Sequence, residues 1–454
     1  MESRRSPGFG AFLVVAVLSA CSQGPADPWS GGLACDKTGA FDPDFAAWPA
    51  PVPPKREKRG LAEVVWLNGT PYEMGKQHGE LLLDRMKEVW AKAEADPALS
   101  LFFVIGTELG LLELAKAASY PETIQECQGF VDFVQAKGVG FTMDHCLFLA
   151  SGEIIEFVAD GMPDQPEITP GCTQILAAGP ATADGRLYHA RLMDWMDPYF
   201  LIENPVVFVR QPTGGIPHVT IGFPGCVAPF QGMNARGIVM AQNEIHARDG
   251  KVHDTTGLSH TQLEGRILQQ AGSLAEARAL ILAANHMTLE TSGISDGQAG
   301  SGEFYEMAPP AVGVRTMTDG IAFATNHFVA PATANLDREP ASDSTMIRWE
   351  RLSELVLPGG KDTLYGRLDP PTLVRVLRDR VNPRTGLKSP DTFNDSSSLA
   401  TDGAIYAAVF DPGRRVFWLA SGKIVVPDQT FHGYSLGALL SLPGCEGTTP
   451  ADIP

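Results

Sequence analysis

The sequence lacks the short motifs with which proteins most often hold a metal ion or a nucleotide. Its 10 histidines are scattered, with no H-E-x-x-H pair, and its 7 cysteines include no C-x-x-C. It also lacks the G-x-x-x-x-G-K-[ST] loop that cradles phosphates. We therefore expect a protein without a metal or another cofactor, whose chemistry is carried by its own side chains.

Positive charge is also scarce. The chain has 35 lysines and arginines against 53 aspartates and glutamates, which gives a formal net charge of −18. A negative excess of this size disfavours binding to the phosphates of nucleic acids and to anionic lipid headgroups. The composition, 44% hydrophobic and 19% charged, is typical of a globular protein. Nucleic acid is therefore not an expected partner.

The N-terminal residues carry a targeting signal. Two arginines precede an apolar run at residues 9–20, and small residues come directly before Cys21. This pattern is typical of a bacterial lipoprotein signal. We expect residues 1–21 to be that signal and Cys21 to be lipidated. The mature protein would be exported and held at the outer membrane or cell surface through its lipid anchor only. An ordinary signal peptide cut near Cys21 is the alternative.

The rest of the sequence divides into three parts. Residues 22–60 are rich in proline, glycine and alanine, which predicts a tether. Apolar residues recur at helical spacing in residues 61–171, which predicts a mainly helical segment. Residues 172–454 alternate β-rich runs with helices, one of them at 274–285 with Ser273 as its N-cap. Strand clusters flanked by helices predict an α+β fold of layered sheets.

The number of cysteines predicts disulfides in an exported protein. Cys21 is set aside for the lipid and a second cysteine for chemistry, which leaves an odd number, so at least one is free. Cys127 and Cys146 lie in neighbouring helical segments and can form one pair. Cys35 and Cys445 can tie the two ends of the chain together. The sequence alone does not settle either pairing.

One cysteine has surroundings that indicate chemistry. Cys172 follows Gly171 and precedes a strand-like run. Glycine suits a strained peptide bond before a reactive cysteine, because it has no Cβ to clash. Such a cysteine can cut the bond before it and become the N-terminus of its own chain. Arg191 and Asp194 follow in an R-x-x-D-W element at the end of the next predicted strand.

Further polar residues follow in order along the chain. A turn at 232–237 leads into a strand that carries Asn243, and Asn326 stands in a T-N-H-F element. Asparagine amides can donate hydrogen bonds to a tetrahedral oxyanion. Arg348 lies in a predicted helix. A G-x-S-x-G match around Ser435 is not assigned to catalysis, because no histidine follows it.

The ordered set of Gly-Cys-Thr, R-x-x-D-W, N-x-x-G, a strand-borne Asn and T-N-H-F resembles the penicillin acyltransferase family. The chain looks like a C45-type member, of the kind represented by acyl-CoA:6-aminopenicillanic acid (isopenicillin N) acyltransferase. Bile salt hydrolases and penicillin V acylase are more distant relatives. The resemblance spans residues 62–425 and implies an N-terminal nucleophile hydrolase with a four-layer αββα sandwich. Residues 61–171 would then be its helical precursor segment and residues 172–454 its catalytic domain.

The resemblance implies self-cleavage between Gly171 and Cys172. The new α-amine, with a pKa of about 8, can act as the general base for the thiol of the same residue. Asp194 would orient this amine, and the charge of Arg191 would lower the thiol pKa. The precursor segment would stay bound as an α chain beside the β chain, because its apolar faces need the sheets to cover them.

The resemblance also implies roles for residues farther along the chain. Asn243 and Asn326 would donate to the oxyanion, and Arg348 would brace the site. Relatives often carry asparagine two residues before the aspartate, where this chain has Leu192. The local hydrogen bonding, and with it the choice of substrate, is therefore expected to differ.

The leading prediction is an amidase or acyltransferase for a small-molecule N-acyl substrate, with acyl-CoA as another acyl donor. A second hypothesis keeps the fold and acts on lipids, as a lipid amidase or phospholipase-like hydrolase. A third is a papain-like thiol protease that pairs Cys172 with His218, His246 or His327. A fourth is a surface lipoprotein that kept the scaffold for binding without catalysis.

Overall fold

The structure is a computed structural model that describes residues 35, 48, 50–154, 160, 171–194, 199–338, 341–389 and 398–454. Residues 1–21 with Cys21, and most of the predicted tether, lie outside the described residues. The lipoprotein assignment therefore stays a prediction. Among the described residues, no helix has both the length and the apolarity to cross a bilayer.

The described residues form 15 β-strands, listed here in chain order: β1 Lys55–Arg59, β2 Ala62–Gly69, β3 Thr173–Gly179, β4 Gly185–Asp194, β5 Val206–Pro212, β6 His218–Gly222, β7 Gln231–Asn234, β8 Ile238–Glu244, β9 Glu290–Asp296, β10 Ser301–Ala308, β11 Ala311–Thr316, β12 Ile321–Ala324, β13 Ala404–Asp411, β14 Val416–Ser421 and β15 His432–Ser435. They assemble into two sheets. The larger has the order β1-β2-β5-β6-β7-β8-β9-β10-β11, and the smaller has the order β12-β3-β4-β13-β14-β15.

The α-helices of the described residues are α1 Pro71–Leu81, α2 Leu83–Ala95, α3 Pro97–Glu108, α4 Leu111–Ala117, α5 Pro121–Ala136, α6 Met143–Leu149, α7 Tyr199–Ile202, α8 His260–Gln270, α9 Leu274–Ala283, α10 Asp343–Val356, α11 Pro370–Leu377 and α12 Leu436–Leu439. Helix α9 begins where the sequence predicts. The side chain of Ser273 accepts a hydrogen bond from the backbone N–H of Glu276, which confirms the predicted N-cap.

The two sheets pack face to face. Val209 of the large sheet and Leu192 and Val409 of the small sheet belong to one buried apolar core. Strand residues alternate between the two faces of a sheet. Met240 of β8 lies on the face of the large sheet that points away from this core, and it packs against Leu263 of α8. Helix α11 lies against β4 and β13 of the small sheet. The layers are therefore helix, sheet, sheet and helix, which confirms the predicted α+β αββα sandwich.

The segment before Cys172 is built into this sandwich. Strand β2 pairs in parallel with β5, so the large sheet contains strands from both sides of residue 172. Helices α1 and α5 touch backbone to backbone, because a Cβ on Gly129 would lie 2.0 Å from the carbonyl oxygen of Tyr72. Arg210 of β5 donates to both carboxylate oxygens of Glu126 in α5, at 2.7 and 2.9 Å. This ion pair is buried and joins the two segments.

The end of the predicted tether differs from the sequence prediction. Residues 55–59 form strand β1, which pairs antiparallel with β2 at the edge of the large sheet. Arg56 donates to both Glu63 and Asp84. Charged residues are common on edge strands, where they discourage pairing with other chains. Residues 55–59, which the sequence assigns to the tether, are therefore part of the fold.

Both disulfide pairs considered from the sequence are present. Cys127 and Cys146 join α5 to α6, and Cys35 joins Cys445 near the C-terminus. Cys172 and Cys226 are the free cysteines of the described residues, and both are buried. The disulfide of Cys35 and Cys445 connects a residue before Gly171 to a residue after it. Cleavage between Gly171 and Cys172 would therefore leave the two pieces covalently joined.

Candidate active site

Cys172 lies directly before β3, with 5% of its surface exposed. Its Sγ donates to the backbone carbonyl of Asp194 at 3.4 Å and accepts from Nη2 of Arg191 at 3.5 Å. The sheet explains this geometry, because β3 pairs with β4 so that Gln174 stands opposite Arg191. The structure thus brings together the thiol, the arginine and the aspartate of the sequence prediction.

Arg191 is 1% exposed and forms no ion pair with a carboxylate among the described residues. Its Nη1 donates to the carbonyl oxygen of Phe230 at 2.9 Å, and its Nη2 faces the thiol. A buried cation with few partners strongly favours a negative charge beside it. The thiolate of Cys172 is placed to supply that charge.

The carboxylate of Asp194 is packed against the peptide bond expected to be cut. A Cβ on Gly171 would lie 2.1 Å from Oδ2 of Asp194. On the other side, a Cβ on Gly403 would lie 2.4 Å from Oδ1. The hydroxyl of Thr401 donates to Oδ2. Glycine is therefore required at residue 171 by close approach, and Asp194 lies beside the residue whose α-amine it is expected to orient.

Arg348 of α10 closes another side of the site. It is fully buried, and its Nη1 donates to the carbonyl oxygen of Cys172 at 2.5 Å. Its Nη2 donates to Oδ1 of Asn326 at 2.9 Å. Asn326 in turn donates from Nδ2 to the carbonyl oxygen of Glu244 at 2.8 Å. Arg348 therefore holds both the backbone of Cys172 and the amide of Asn326 in place.

The two expected oxyanion donors differ in this structure. The amide nitrogen of Asn243 donates to the carbonyl oxygens of Ala324 and Thr325, and its oxygen accepts from Gln174. Both hydrogens of that amide are therefore occupied away from the thiol. The amide nitrogen of Asn326 makes one described bond and carries a second hydrogen. Among the described bonds, the Asn326 amide therefore keeps a hydrogen available for another acceptor, whereas the Asn243 amide does not.

A cavity of about 40 Å³ lies beside the thiol. Its polar lining includes Arg191 and Asp194 together with three residues that the sequence analysis did not select, Glu153, Glu244 and Glu290. Glu244 is adjacent to Asn243, and neighbouring strand residues point to opposite faces, so the glutamate faces the cavity in place of the asparagine. The sequence alone does not show which of these two adjacent residues faces the cavity, because that depends on which face of the sheet each side chain occupies.

The surroundings of the site change several pKa values. Burial raises the pKa of the Cys172 thiol, and the Arg191 cation offsets this only in part. The expected lowering by Arg191 is therefore outweighed in the uncleaved chain. Burial also raises the pKa of Asp194, against the hydrogen bond from Thr401 and the charge of Arg348. Burial lowers the pKa of Arg348 to about 10, so this side chain remains a cation at neutral pH.

The histidines of the thiol-protease hypothesis are occupied elsewhere. Nδ1 of His218 bonds to a backbone carbonyl at 2.8 Å, and Nδ1 of His246 bonds to Asp160 at 3.1 Å. Nδ1 of His327 faces threonine hydroxyls at 3.0 and 3.1 Å. Among the hydrogen bonds of the described residues, none joins an imidazole to Cys172. This arrangement does not fit a cysteine–histidine protease.

The described residues contain no group of three or more histidines, cysteines, aspartates or glutamates that could hold a metal ion.

No protein-family model matches the chain. An uncharacterised protein of Archaeoglobus fulgidus is 24% identical over 344 residues, which cover 67% of this chain and 55% of that protein. The chain thus spans about half the length of this relative.

Solved structures with some likeness include an N-acylethanolamine-hydrolyzing acid amidase ortholog of Caenorhabditis elegans. It is 14% identical with a TM-score of 0.37, over 53% of this chain and 93% of that one. Two variants of a conjugated bile acid hydrolase from Clostridium perfringens are 14% and 13% identical, with TM-scores of 0.32 and 0.35. Each match covers 55% of this chain and 89% of the hydrolase.

Proposed function

We propose that the chain is a self-processing N-terminal cysteine hydrolase of the penicillin acyltransferase type, which cleaves the amide bond of an N-acyl substrate. The observation that carries the proposal is the packing of the Asp194 carboxylate against Gly171, beside a thiol that Arg191 contacts. A structural cysteine in a strand requires neither a glycine before it nor a carboxylate wedged against that glycine. An N-terminal nucleophile requires both a cleavable bond and a group to orient the new amine.

Self-processing begins with attack of Cys172 Sγ on the carbonyl carbon of Gly171. A thioester bond forms, the peptide bond to the nitrogen of Cys172 breaks, and the thiol proton passes to that nitrogen. Water then hydrolyses the thioester, which leaves a carboxylate on Gly171 and restores the thiol. Cys172 becomes an N-terminal residue with a free α-amine. Because the scissile nitrogen and the thiol belong to one residue, the thiol is already close to the bond that it attacks and to the nitrogen that receives its proton.

Substrate cleavage repeats this chemistry on another carbonyl. The neutral α-amine takes the thiol proton, Sγ attacks the carbonyl carbon of the amide, and the amine product leaves with a proton from the α-ammonium. Water, or a second amine in acyl transfer, then releases the acyl group from Sγ. Asp194 orients the α-amine, Arg191 stabilises the thiolate, and Asn326 donates to the oxyanion. Arg348 acts as a positioning residue for this set.

Export as a lipoprotein remains part of the proposal. The two disulfides suit an oxidising compartment, because such bonds are rare in proteins that stay in the cytosol. Lipidation at Cys21 is tested by fractionating a Cys21→Ala variant, which should leave the membrane fraction. A variant that stays membrane-bound like the parent would contradict the anchor.

The decisive experiment is a comparison of the two buried free cysteines. Purified wild-type protein should give two pieces after reduction, one of them starting at Cys172, and Cys172→Ala should stay a single chain without amidase activity. Cys226→Ala is the matched control, because burial raises the pKa of that thiol to about 12 and its Sγ donates to a backbone carbonyl. It should be cleaved and active like the wild type. Complete cleavage of Cys172→Ala would point to an external protease.

A second experiment tests whether turnover passes through an acyl-enzyme intermediate. Mass spectrometry of wild-type protein quenched during reaction with an N-acyl amide should show an acyl adduct on Cys172. Added amines that compete with water would report acyl transfer as a second product. Normal turnover after alkylation of Cys172 would place the chemistry elsewhere.

A further inference from the structure

The cavity beside the thiol is unusually rich in carboxyl groups. Glu153, Asp194, Glu244 and Glu290 all line it, against a single cation, Arg191. Glu244 and Glu290 are direct partners across strands β8 and β9. Like charges in directly opposite positions destabilise a sheet. The described structure therefore concentrates carboxyl groups beside the thiol.

A fourth glutamate extends this cluster into the protein. Glu264 lies beside Glu290, and Ser292 Oγ donates to Glu264 Oε1 at 2.5 Å. With its amide nitrogen turned toward them, Gln242 donates to Glu290 at 3.0 Å and to Glu264 at 2.7 Å. Burial and the neighbouring carboxyl raise the pKa of Glu264, and burial raises the pKa of Glu290 to about 8. The two buried carboxyls cannot both be ionised cheaply without a cation.

Glu153 supplies an independent observation. It is 4% exposed, and it lines the cavity from the segment before Cys172. Its Oε2 accepts from Thr261 at 3.2 Å, but its Oε1 has no hydrogen-bond partner. A buried carboxylate oxygen without a partner is costly, so it indicates a group that is bound there in the working protein. Among the described residues, no lysine or arginine forms an ion pair with Glu153, Glu264 or Glu290.

The size and chemistry of the cavity indicate the kind of group. Its volume of about 40 Å³ accommodates a few water-sized groups, which suits an ammonium or one end of a guanidinium. The carboxyls do not form a metal site by the geometry of the described residues. An organic cation with several N–H donors would satisfy the free oxygen of Glu153 and would lie beside the carboxyl group of Glu290 in the same cavity.

We infer that the substrate carries a positively charged nitrogen close to its scissile amide, and that Glu153 and Glu290 bind it. This inference rests on the proposed amidase function and names its substrate class: N-acyl amides with an ammonium or guanidinium group. Because Glu153 precedes the cleavage site and Glu290 follows it, both chains of the cleaved protein contribute to specificity. The two glutamates act on specificity, while the thiol and α-amine carry out the reaction.

The first test needs no variant. Three amides with one acyl chain are compared on the cleaved wild-type protein, with 1,4-diaminobutane, butylamine and 4-aminobutyrate as the amine part. The cationic amide should have kcat/KM roughly 10- to 100-fold above the butylamide, as expected for charge-assisted hydrogen bonds. The anionic amide should be cleaved least. A further amide with the amino group on the acyl chain distinguishes which side of the bond carries the charge.

The second test uses Glu153→Gln and Glu290→Gln, with Glu113→Gln as the control. Glu113 is exposed on α4, so its replacement removes the same charge away from the cavity. Each cavity variant should raise KM for the cationic amide about tenfold, while kcat/KM for the butylamide stays within about twofold. The control should behave like the wild type. If the glutamates had a purely structural role, each variant would lower kcat/KM for the cationic amide and for the butylamide together. That result would overturn the inference.

The outcomes separate the two proposals. Cleavage of the butylamide as fast as the cationic amide contradicts the cationic site and leaves the amidase function standing. A charge preference that persists in both cavity variants also contradicts it. Failure to cleave any of the amides by a correctly processed protein contradicts the amidase function and the substrate class together.

Discussion

Replacement of Gly171 by alanine tests how the site holds the scissile bond. The new Cβ would lie 2.1 Å from Oδ2 and 2.5 Å from Cγ of Asp194. Non-bonded atoms do not approach this closely, so the carboxylate or the peptide has to move. The carboxylate has little room, because Gly403 packs against its other side and Thr401 donates to it. The structure therefore predicts a direct conflict at the bond to be cut.

The magnitude follows from the cost of overpacking. Extra atoms in a well-packed site cost about 1–3 kcal/mol. If that cost falls on the geometry needed for attack, self-cleavage slows roughly 5- to 150-fold, at about 1.4 kcal/mol for each factor of ten. Gly403→Ala should slow cleavage by a similar factor, because it displaces the same carboxylate without changing the scissile peptide.

The assay is the fraction of uncleaved chain against time, read by intact mass and by electrophoresis under reducing conditions. Gly106→Ala is the control, since the nearest atom to its Cβ would be 3.9 Å away. It should be cleaved at the wild-type rate. Wild-type rates for Gly171→Ala in a correctly folded protein would refute the role given to this close contact.

Three other predictions use separate parts of the structure. The cleaved protein should run as one species without reductant and as two with it, and Cys445→Ser should give two under both conditions. Burial raises the pKa of Asp160, but hydrogen bonds from histidines lower it overall to about 2. Asp160 faces His246. Burial lowers the pKa of His246, but the Asp160 carboxylate and its neighbours raise it overall. The hydrogen bonds and ion pairs of the Asp160 carboxylate should together stabilise the fold by about 3 kcal/mol between roughly pH 4 and 6.5. That contribution is lost as the pH falls through the pKa of Asp160 or rises through that of His246, so thermal denaturation should find Asp160→Asn least stable, relative to wild type, inside this window. Asn326→Ala should lower kcat about 100-fold, whereas Asn243→Ala should mainly lower the Tm, because its amide holds backbone carbonyls.

The layered fold could be predicted from the sequence because its signals are local. Each of these signals involves only residues that are close together in the sequence. They include the alternating and helical patterns, the Ser273 N-cap and the glycines at turns. The cluster around Cys172 could also be predicted. Arg191 lies on the strand that follows in the hairpin, and antiparallel pairing of the two strands places it next to Cys172.

The remaining features depend on contacts that the sequence does not display. A shift of one residue reverses the face of a strand, and this is the difference between Asn243, which binds backbone, and Glu244, which lines the cavity. The sequence predicts a tether at residues 55–59 because this edge strand carries charged side chains. It therefore lacks the alternation of apolar and polar residues that marks a strand. Glu153 and Glu290 are far apart in sequence, and nothing local marks them as neighbours.

The position of Glu153 has a consequence for the segment before the cleavage site. This segment supplies β1 and β2 to the large sheet, a buried ion pair through Glu126, and one end of the disulfide between Cys35 and Cys445. Removing it would expose the backbone of β5 as a new sheet edge and open the cavity beside the thiol. An expelled propeptide contributes none of these contacts to the finished protein. The α segment is therefore expected to remain after cleavage as one wall of the substrate cavity, so that cutting one bond creates the catalytic amine while the surrounding fold is kept.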